Sequence, residues 1–385
     1  MSASGADVVV IGGGIAGASA AWALAADHRV VLLELEAQPG THATGRSAAV
    51  ISETSGSLEL CALAAASRPF LTDPPDDLDA PGVLSPRGLL WVADADHGHE
   101  LDALAHTAAT LGVRADLLAT DAATALAPVL RPEWLAGALH EPDAMSIDVA
   151  RLLDAFLDGV RRRGGEVRVS SPALRLAPTS SGWRVVTPEL ELDAAVVVNA
   201  AGAWADEVAT RAGLEPLGLQ VLRRTAFLFP WSAPDPSGWP LVMDAGSSFY
   251  FEPEGPGLLA SPSEETPSPP CDARADELAM ALAADALAAA TTLVVRGVRH
   301  RWAGLRTFAP DRRPVVGFDP DAPGFFWLAG QGGAGIKTSP ALAALTAALV
   351  DARPVPEELG RFGLDLARLA PDRLRRPPGA PTHET

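Results

Sequence analysis

A turn containing three glycines constrains the fold of this chain more than any other feature. Gly12, Gly14 and Gly17 follow a continuous apolar run at residues 8–11 and open a small-residue segment at residues 15–26. The run is typical of a strand buried on both faces of a parallel sheet, and the segment after it is typical of a helix. At this spacing the glycines allow a tight turn, the approach of a pyrophosphate and close packing of helix on strand. The turn therefore predicts a dinucleotide-binding α/β domain.

Further buried strands recur along the chain and extend this domain. Residues 29–34 indicate a second strand that ends in Glu34, whose carboxylate can accept hydrogen bonds from a ribose diol. Residues 195–199 indicate a third strand, and a strand at residues 325–329 leads into a glycine-rich turn at residues 330–338. The domain is therefore predicted to be assembled from separated segments.

A different pattern occupies the stretches between these segments. Aromatic and alternating runs at residues 89–92, 226–229 and 249–251 are separated by proline, glycine and serine turns, which is typical of an antiparallel sheet. We therefore predict two domains and a flexible tail. The predicted bounds are residues 1–82, 144–215 and 300–365 for the dinucleotide domain, residues 83–143 and 216–299 for a substrate domain, and residues 366–385 for the tail.

The charge balance excludes several classes of partner. Lysine and arginine number 30 against 48 aspartate and glutamate residues, which gives a net charge of −18. Nucleic acids and anionic membranes attract basic surfaces, so neither is an expected partner. Cys61 and Cys271 have no metal-binding or disulfide spacing, no apolar run reaches the ~18 residues of a membrane span, and no signal segment is evident. We expect a cytoplasmic protein with no membrane span and no metal site.

Two further loops favour FAD over a nicotinamide as the dinucleotide. The segment at residues 40–49 carries Arg46 and Ser47, which are candidates for contacting a pyrophosphate and a flavin edge. The turn at residues 330–338 can bring backbone N–H groups to a second part of the ligand, and it carries Lys337, the only lysine. A cation near the flavin N1 and C2=O atoms stabilises the reduced anion. We therefore predict that FAD is bound, with Lys337 beside the flavin.

Several motifs taken together resemble the D-amino-acid oxidase superfamily of FAD enzymes, and within it most of all FAD-dependent D-arginine dehydrogenase. The likeness runs along nearly the whole chain. The matching segments are residues 12–17, Glu34, and residues 44–49, 84–87, 199–204, 223–227, 248–250, 302–308 and 331–336. The resemblance implies a discontinuous Rossmann-like FAD-binding domain of α/β type and a substrate domain with a mostly antiparallel sheet.

The resemblance also implies a reaction, the oxidative deamination of a D-amino acid by hydride transfer from Cα to flavin N5, followed by hydrolysis to a 2-oxo acid and ammonia. Arg306 matches the arginine that anchors the substrate carboxylate, Arg224 a second carboxylate contact and Tyr250 a hydroxyl donor. The implied FAD-binding residues are Gly12, Gly14, Ile15, Ala16, Gly17, Glu34, Thr44, Arg46, Ser47, Ala48, Val169, Ala200, Gly202, Trp204, Gly304, Arg306, Gly332, Gly333, Gly335, Ile336, Lys337 and Thr338. The implied substrate pocket contains Ser52, Ser55, Leu89 and Ala334.

The chain departs from the D-arginine dehydrogenase pattern where a substrate guanidinium would be recognised. Leu89 stands where the relative has a glutamate, Ala334 where it has a tyrosine and Lys337 where it has a glutamine. Burying an arginine side chain beside Leu89 would cost several kcal/mol unless Glu53 compensated. We therefore predict that neutral or apolar substrates are preferred over basic ones.

Other interpretations of the sequence stay open. The chain could be an oxidase of glycine, sarcosine or another secondary amine, or a tailoring flavoenzyme that acts on a pathway intermediate. A flavin-containing partner subunit that is inactive alone is the non-enzymatic alternative. The electron acceptor, either oxygen or a quinone-like compound, is not fixed by the sequence. Cys61 and Cys271 match no flavin-linking position, so noncovalent FAD is expected.

Overall fold

The computed structural model describes residues 4–375 of the 385-residue chain. Within them the helices are α1 (Ile15–Leu24), α2 (Leu58–Thr72), α3 (Gly98–Leu111), α4 (Thr120–Leu126), α5 (Val149–Arg162), α6 (Ala205–Arg211), α7 (Glu277–Ala290), α8 (Gly335–Val350) and α9 (Glu357–Gly360). The strands are β1 (Ser4–Ile11), β2 (Val30–Leu33), β3 (Val50–Ile51), β4 (Leu84–Pro86), β5 (Leu89–Ala93), β6 (Asp116–Leu118), β7 (Gly137–Glu141), β8 (Met145–Ile147), β9 (Glu166–Arg168), β10 (Arg175–Thr179), β11 (Gly182–Val186), β12 (Glu191–Asn199), β13 (Gln220–Pro230), β14 (Leu241–Asp244), β15 (Tyr250–Glu254), β16 (Gly257–Ser261), β17 (Thr266–Pro267), β18 (His300–Phe308), β19 (Val315–Phe318) and β20 (Phe325–Ala329).

The first sheet forms around the two buried strands that flank the glycine turn. β1 lies between β12 and β2, and all three strands are parallel, with Val9 opposite both Val197 and Val31. β9 continues the parallel set beside β2, and β20 continues it beside the carboxyl-terminal part of β12. The amino-terminal part of β12 pairs antiparallel with β11, which leads to β10, and β19 pairs antiparallel with β20. The separated segments predicted from the sequence therefore meet in one sheet.

Helices cover both faces of this first sheet, because its apolar strands have no solvated side. On one face α1, α5 and α8 bury Val10, Phe156 and Leu345 completely. On the other face Val208 of α6 packs against Trp327 of β20. The glycine turn and α1 begin at the carboxyl end of β1, which is the edge where parallel α/β sheets bind ligands.

The second sheet runs in the order β17-β13-β16-β15-β14-β5-β7-β6, with β18 also paired to β13. Its neighbours are antiparallel except for β14 and β5, which are parallel. Phe227 and Phe251 on one face pack against Leu287 of α7, whereas Tyr250 and Leu259 belong to a separate cluster on the opposite face. That cluster also includes Ala48, so the opposite face lies against the loop that precedes β3.

The structure differs from the predicted domain bounds at residue 300. β18 was expected to belong to the dinucleotide domain, yet it pairs with β13 along its whole length, from Gln220 opposite Phe308 to Leu228 opposite His300. Side chains alternate between the two faces of β18. Ala303 and Leu305 are buried in a small cluster on one face, and Arg306 points to the opposite face. The predicted domain bounds therefore assigned β18 to the wrong sheet.

The structure also differs from the prediction of a flexible tail at residues 366–375. Residues 366–375 form two short helical turns, Leu366–Arg368 and Pro371–Leu374. Arg373 donates to the Asp311 carboxylate at 2.9 Å and Arg375 donates to Asp319 at 2.6 Å, so this segment is fixed against the end of β19. Residues 376–385 lie outside the described residues.

A three-stranded sheet in the order β3-β8-β4 joins segments of both predicted domains. No helix among residues 4–375 is long and apolar enough to cross a membrane.

Candidate active site

One cavity extends between the glycine turn of the first sheet and the face of the second sheet that carries Tyr250. Most of the residues that the resemblance assigned to FAD line it. They are Gly12, Gly14, Ile15, Ala16, Glu34, Thr44, Arg46, Ser47, Ala48, Ala200, Gly202, Trp204, Gly304, Arg306, Gly332, Gly333, Gly335 and Ile336. Arg224 and Tyr250, expected to contact substrate, line the same cavity. A single space therefore connects the nucleotide end to the predicted carboxylate anchor.

The glycine turn leaves no room for side chains. Gly12 has a φ of 110°, and a Cβ atom there would lie 2.4 Å from the carbonyl oxygen of Ala200. A Cβ atom at Gly17 would lie 1.9 Å from the carbonyl oxygen of Gly12. Gly17 therefore packs against the backbone of the turn and does not line the cavity. The first turn of α1 contains no acidic residue, and its N-cap Gly14 offers no capping side chain. The helix start is therefore a favourable place for a phosphate.

Glu34 is held at the carboxyl end of β2 by two backbone donors. Its Oε2 accepts from the N–H of Gly13 at 2.7 Å, and its Oε1 accepts from the N–H of Glu36 at 2.8 Å. Burial raises the pKa of Glu34 above its ordinary value. Both carboxylate oxygens keep a second lone pair, so the side chain can still accept ribose hydroxyls.

The chain after β9 lines the same end of the cavity, but not through the residue that the sequence indicated. Val169 is 39% exposed and does not line the cavity. Ser171, Pro172 and Ala173 line it instead, because the N–H of Ser171 bonds to the carbonyl oxygen of Glu34 and draws this segment inward. A loop beyond the end of a strand gives no periodic signal, so these three residues were missed.

Arg224, Tyr250 and Arg306 project from one face of the second sheet. Arg224 lies opposite Gly304, and Leu222 lies opposite Arg306, so the two guanidinium groups are diagonal neighbours on that face. A Cβ atom at Gly304 would lie 3.3 Å from the Cβ atom of Arg46, so the glycine lets the loop at residues 42–46 pack against the sheet across from Arg224. Burial, together with the positive charge of Arg306, lowers the pKa of Arg224 to about 10. Two cations near each other favour an anion between them.

Arg306 has no carboxylate partner among residues 4–375, and no hydrogen bond from its side chain is formed there. Its guanidinium lies against the backbone of Gly333, where a Cβ atom would come within 2.8 Å of Nη1. Arg224, by contrast, donates from Nε to the carbonyl oxygen of Glu264 at 2.7 Å and has Glu265 at 3.7 Å. The Arg306 fork is therefore available for a bidentate bond to a carboxylate.

Arg46 has a different role from the predicted contact with a pyrophosphate or flavin edge. Its guanidinium donates to three backbone carbonyl oxygens, those of Thr41 at 2.6 Å, Ala273 at 2.9 Å and Ala303 at 2.8 Å, and it pairs with Asp272. These bonds consume its donors and tie the cavity wall to the second sheet. Arg46 lines the cavity while its charge is used for structure.

Lys337, unlike Arg46, does not line the cavity. Its Nζ donates to the carbonyl oxygens of Ser52 and Ser55 at 2.8 and 2.9 Å, so the ammonium group points away from the predicted flavin position. Thr338, which follows it, donates back to the carbonyl oxygen of Ala334 and is fully buried. Helical geometry explains this, because successive residues of α8 face different directions and only Gly335 and Ile336 face the cavity.

The four residues assigned to the substrate pocket, Ser52, Ser55, Leu89 and Ala334, also lie outside the cavity lining. Ser52 is bonded to Glu141, whose carboxylate accepts from the hydroxyl groups of Ser52 and Thr54 and from the N–H of Glu53, all within 2.9 Å. This buried glutamate is directly opposite Leu89. Burial of Glu141 raises its pKa. The residues form a structural network behind the cavity.

The remaining lining residues could not be singled out from motifs. Ala226 and Thr307 lie on the second sheet beside the anchor, Gln331 begins the turn after β20, and His42 packs 4.6 Å from the ring of Trp204. The residues present suit FAD, since the cavity offers a helix start, a ribose acceptor and a crevice free of side chains at the turn. Groups of three or more potential metal ligands do not occur within residues 4–375.

Comparison with known proteins identifies the family. The profile of the DAO family, described as FAD dependent oxidoreductase, matches residues 7–349. The protein belongs to this family, and FAD is its cofactor.

Individual relatives agree with this assignment over different lengths. The chain is 27% identical to glycine oxidase of Geobacillus kaustophilus (strain HTA426), a match that covers 93% of this chain and 96% of the relative. The crystal structure of glycine oxidase from that species covers 95% of this chain and 98% of its own with a TM-score of 0.80 and 25% identity.

Two other relatives are matched over shorter shares. The chain spans 57% of the length of the uncharacterized oxidoreductase YurR of Bacillus subtilis (strain 168), at 28% identity over 55% of this chain. It is 31% identical to dimethylglycine dehydrogenase of Rattus norvegicus over 36% of this chain and 17% of the relative. The predicted superfamily, fold class and FAD are confirmed, whereas the closer likeness to D-arginine dehydrogenase and the noncovalent attachment of FAD stay predictions.

Proposed function

We propose that this protein oxidises a neutral α-amino acid, either D-configured or glycine, at its Cα–N bond. FAD, when bound, supplies a two-electron acceptor for the hydride from Cα. In the substrate the nitrogen lone pair forms a C=N bond as a proton leaves, and water then hydrolyses the imino acid to a 2-oxo acid and ammonia. The observation that carries the proposal is the unpaired Arg306 fork beside Arg224, which suits a carboxylate.

The proposed carboxylate anchor contributes to the reaction by positioning the substrate. Arg306 takes the substrate carboxylate bidentately, Arg224 adds a second positive charge and the Tyr250 hydroxyl donates to the same group. With the carboxylate fixed, Cα is oriented toward the part of the cavity lined by Gly333 and Ile336. Rate enhancement then comes from orientation rather than from a side-chain base.

The lining favours a neutral side chain. Glu34 is the only acidic residue among those that line the described cavity, and it lies at the nucleotide end. A basic side chain at the anchor would therefore be near Arg224 and Arg306, and no carboxylate at that end of the cavity lining would neutralise it. The similarity to glycine oxidase along nearly the whole chain supports a small, neutral amino acid.

A secondary amine that bears a carboxylate is the second candidate. The partial likeness to dimethylglycine dehydrogenase favours it, because the same anchor would hold the carboxylate of an N-methylated glycine. Such a substrate would release an N-alkylamine instead of ammonia.

An anaerobic panel tests the proposal by following the bleaching of flavin absorbance. The panel contains glycine, sarcosine, and matched D- and L-enantiomers of alanine, leucine, phenylalanine, arginine and lysine. We expect reduction by glycine or neutral D-amino acids, with the basic pair far slower. Reduction by L-amino acids alone, or by no compound, would overturn the proposal, and reduction by sarcosine alone would select the second candidate.

The anchor is tested separately with Arg306→Met and Arg306→Lys. Removal of the bidentate partner is expected to lower kcat/KM for the best substrate by about 100-fold, because a buried carboxylate loses its charge pair. Lysine should restore part of the loss, since it keeps the charge without the fork. The exposed Arg296 provides the control, Arg296→Met, which should leave kcat/KM unchanged. An equal effect of both substitutions to methionine would show that Arg306 is not the anchor.

A further inference from the structure

A second cavity of about 980 Å³ adjoins the first. Arg46, Ser47 and Ala48 line both cavities. Part of its lining comes from the second sheet, and part comes from the small sheet that contains Ser146. Nothing in the proposed function uses this space.

Strand alternation shows that the two cavities share one floor. On β15, Tyr250 lines the first cavity and Glu252, two residues further on, lines the second. On β13, Ala226 lines the first cavity and Leu228 the second. Residues two apart on a strand face the same side and lie about 7 Å apart. The second cavity therefore begins about 7 Å beyond the substrate anchor.

Glu252 is a buried carboxylate that no protein group satisfies. It is 5% exposed, and its carboxylate accepts no hydrogen bond from any residue between 4 and 375. The nearest cation is Arg87, whose Nε lies 3.6 Å from Oε2, beyond hydrogen-bond distance. Arg87 instead donates from Nε to the Ser146 hydroxyl at 3.0 Å, which leaves its two terminal nitrogens without a hydrogen-bond acceptor in the described residues. An acceptor and a donor group thus stand side by side.

The chemistry of this pair selects a neutral ligand. A cation would be attracted to the Glu252 carboxylate but repelled by the Arg87 guanidinium. An anion would be attracted to Arg87 but repelled by Glu252. A group that carries an N–H beside a C=O satisfies both partners at once. Carboxamide, ureido and lactam edges have this arrangement.

One wall of the second cavity accepts a flat group, while charged side chains line other parts of it, namely Asp148, Glu254, Asp272, Arg274 and Arg301. Leu228, Leu259 and Trp302 form an apolar surface next to the pair. Trp302 is stacked on His300 with ring centroids 5.2 Å apart and an interplanar angle of 28°. Such a surface packs well against planar groups.

We propose that the second cavity is a subsite for the distal end of the substrate, and that it binds a neutral planar group presenting a hydrogen-bond donor and acceptor together. The proposal rests on the proposed function, since the amino-acid end must be held by Arg306. Glu252 and Arg87 are then specificity-determining residues. The substrate class is an amino acid with an amide-like group some three or four carbons from Cα.

The test compares three side chains in anaerobic stopped-flow reduction of the flavin. Citrulline ends in a ureido group, norleucine is apolar and shorter by two atoms, and alanine is too short to reach Glu252; each is used as separate enantiomers. In the parent protein we expect kcat/KM for citrulline to exceed that for norleucine by about tenfold, which corresponds to one well-formed polar pair. A ratio of one or less in the parent protein overturns the proposal without any variant.

Two variants test whether Glu252 and Arg87 cause the preference for citrulline over norleucine. Glu252→Leu and Arg87→Met are each expected to bring the ratio of citrulline to norleucine down to about one while alanine changes less than twofold. Glu252→Gln, which keeps hydrogen-bonding capacity, should retain part of the preference. Glu191→Leu, on an exposed residue of β12, is the matched control and should preserve the parental ratio. If Glu252→Leu and Arg87→Met keep the parental ratio, or slow alanine equally, the subsite does not exist.

The outcomes separate this inference from the function on which it rests. If no amino acid or amine reduces the flavin, the proposed function fails. If alanine or glycine reduces it but citrulline has no advantage, only the subsite fails. If the variants change reoxidation by oxygen or a soluble quinone while the ratio of citrulline to norleucine is intact, the cavity serves the electron acceptor, which also overturns the subsite.

Discussion

The ammonium group of Lys337 is buried and bonded to two backbone carbonyl oxygens, those of Ser52 and Ser55. Burial lowers the pKa of Lys337, while the nearby carboxylates of Glu141 and Glu53 act in the opposite direction. The cation therefore compensates two buried acids and fixes the loop at residues 52–55 to the start of α8.

Lys337→Met tests this structural role. Loss of the two charge-assisted hydrogen bonds should lower the free energy of unfolding by about 3 kcal/mol, measured by urea denaturation. Arg296→Met, which removes an exposed cation, should leave it unchanged within about 0.5 kcal/mol. A Lys337→Met protein with parental stability but slow flavin reduction would contradict the structure and support a position beside the flavin.

Residue identity predicted this site only in part. The rarity of lysine singled out Lys337, and the carboxylate chemistry of guanidinium supported Arg306 and Arg224. The sequence did not indicate in which direction these side chains point. A side chain on α8 can face the cavity or the loop at residues 52–55, depending on how the helix is rotated about its axis, and sequence spacing does not fix that rotation. The structural bonds of Arg46 could not be predicted for a related reason, since its carbonyl partners at Ala273 and Ala303 are more than 200 residues away, and its contact with the cofactor stays a prediction.

The glycine turn between β1 and α1 leaves very little space for side chains. The predicted strand, turn and helix agree with β1, the turn and α1, because apolar periodicity and glycine spacing act within twenty residues. At the other end of the chain the predicted glycine-rich turn at residues 330–338 was too long. α8 begins at Gly335, and the carbonyl oxygen of Ile336, which proline cannot serve, accepts from the Ser339 hydroxyl at 2.9 Å. That side-chain bond was not visible in the pattern.

Gly17→Ala tests the turn at the level of the element. The added Cβ would lie 1.9 Å from the carbonyl oxygen of Gly12, so β1 and α1 must separate and the nucleotide end of the cavity is distorted. We expect the purified protein to lose most of its FAD, measured as the ratio of flavin to protein absorbance. Gly98→Ala, in open space at the start of α3, is the matched control and should keep full FAD content. Full FAD content in Gly17→Ala would show that the turn is looser than described.

At the scale of the whole molecule, buried acids dominate the response to pH. Burial raises the pKa of Glu252 to about 7, with the charge of Arg87 opposing the shift. An unfolded glutamate titrates near its ordinary 4.5, so protonation of Glu252 favours the folded state. Its contribution to stability is complete below about pH 4.5 and is lost as the pH rises through about 7.

Glu252→Gln should remove this dependence. At pH 5 the variant and the parent should have similar free energies of unfolding, and at pH 8 the variant should be more stable by up to about 3 kcal/mol. Urea denaturation at both pH values provides the measurement, with the exposed Glu191→Gln as control. A difference that is the same at pH 5 and pH 8 would show that Glu252 ionises normally.

The two large sheets could be predicted because their strands have different hydrophobic patterns. Continuous apolar runs indicated β1, β2, β12 and β20, and aromatic alternation indicated β13 and β15. The assignment of β18 failed because its register with β13 is a contact between distant segments that no local pattern records. The second cavity could not be predicted for the same reason.

The bonds of Arg46 have a consequence for how the coenzyme enters. One guanidinium clamps the wall at residues 46–48 to carbonyl oxygens on two remote segments, so that wall cannot swing outward without breaking three hydrogen bonds and an ion pair together. The opposite rim at Ser171, Pro172 and Ala173 is held by fewer bonds, one from the Arg211 guanidinium to the carbonyl oxygen of Ala173 at 2.9 Å and one from the N–H of Ser171 to the carbonyl oxygen of Glu34 at 2.8 Å. Widening the cavity for the adenine half therefore breaks fewer bonds at that rim than at the wall held by Arg46.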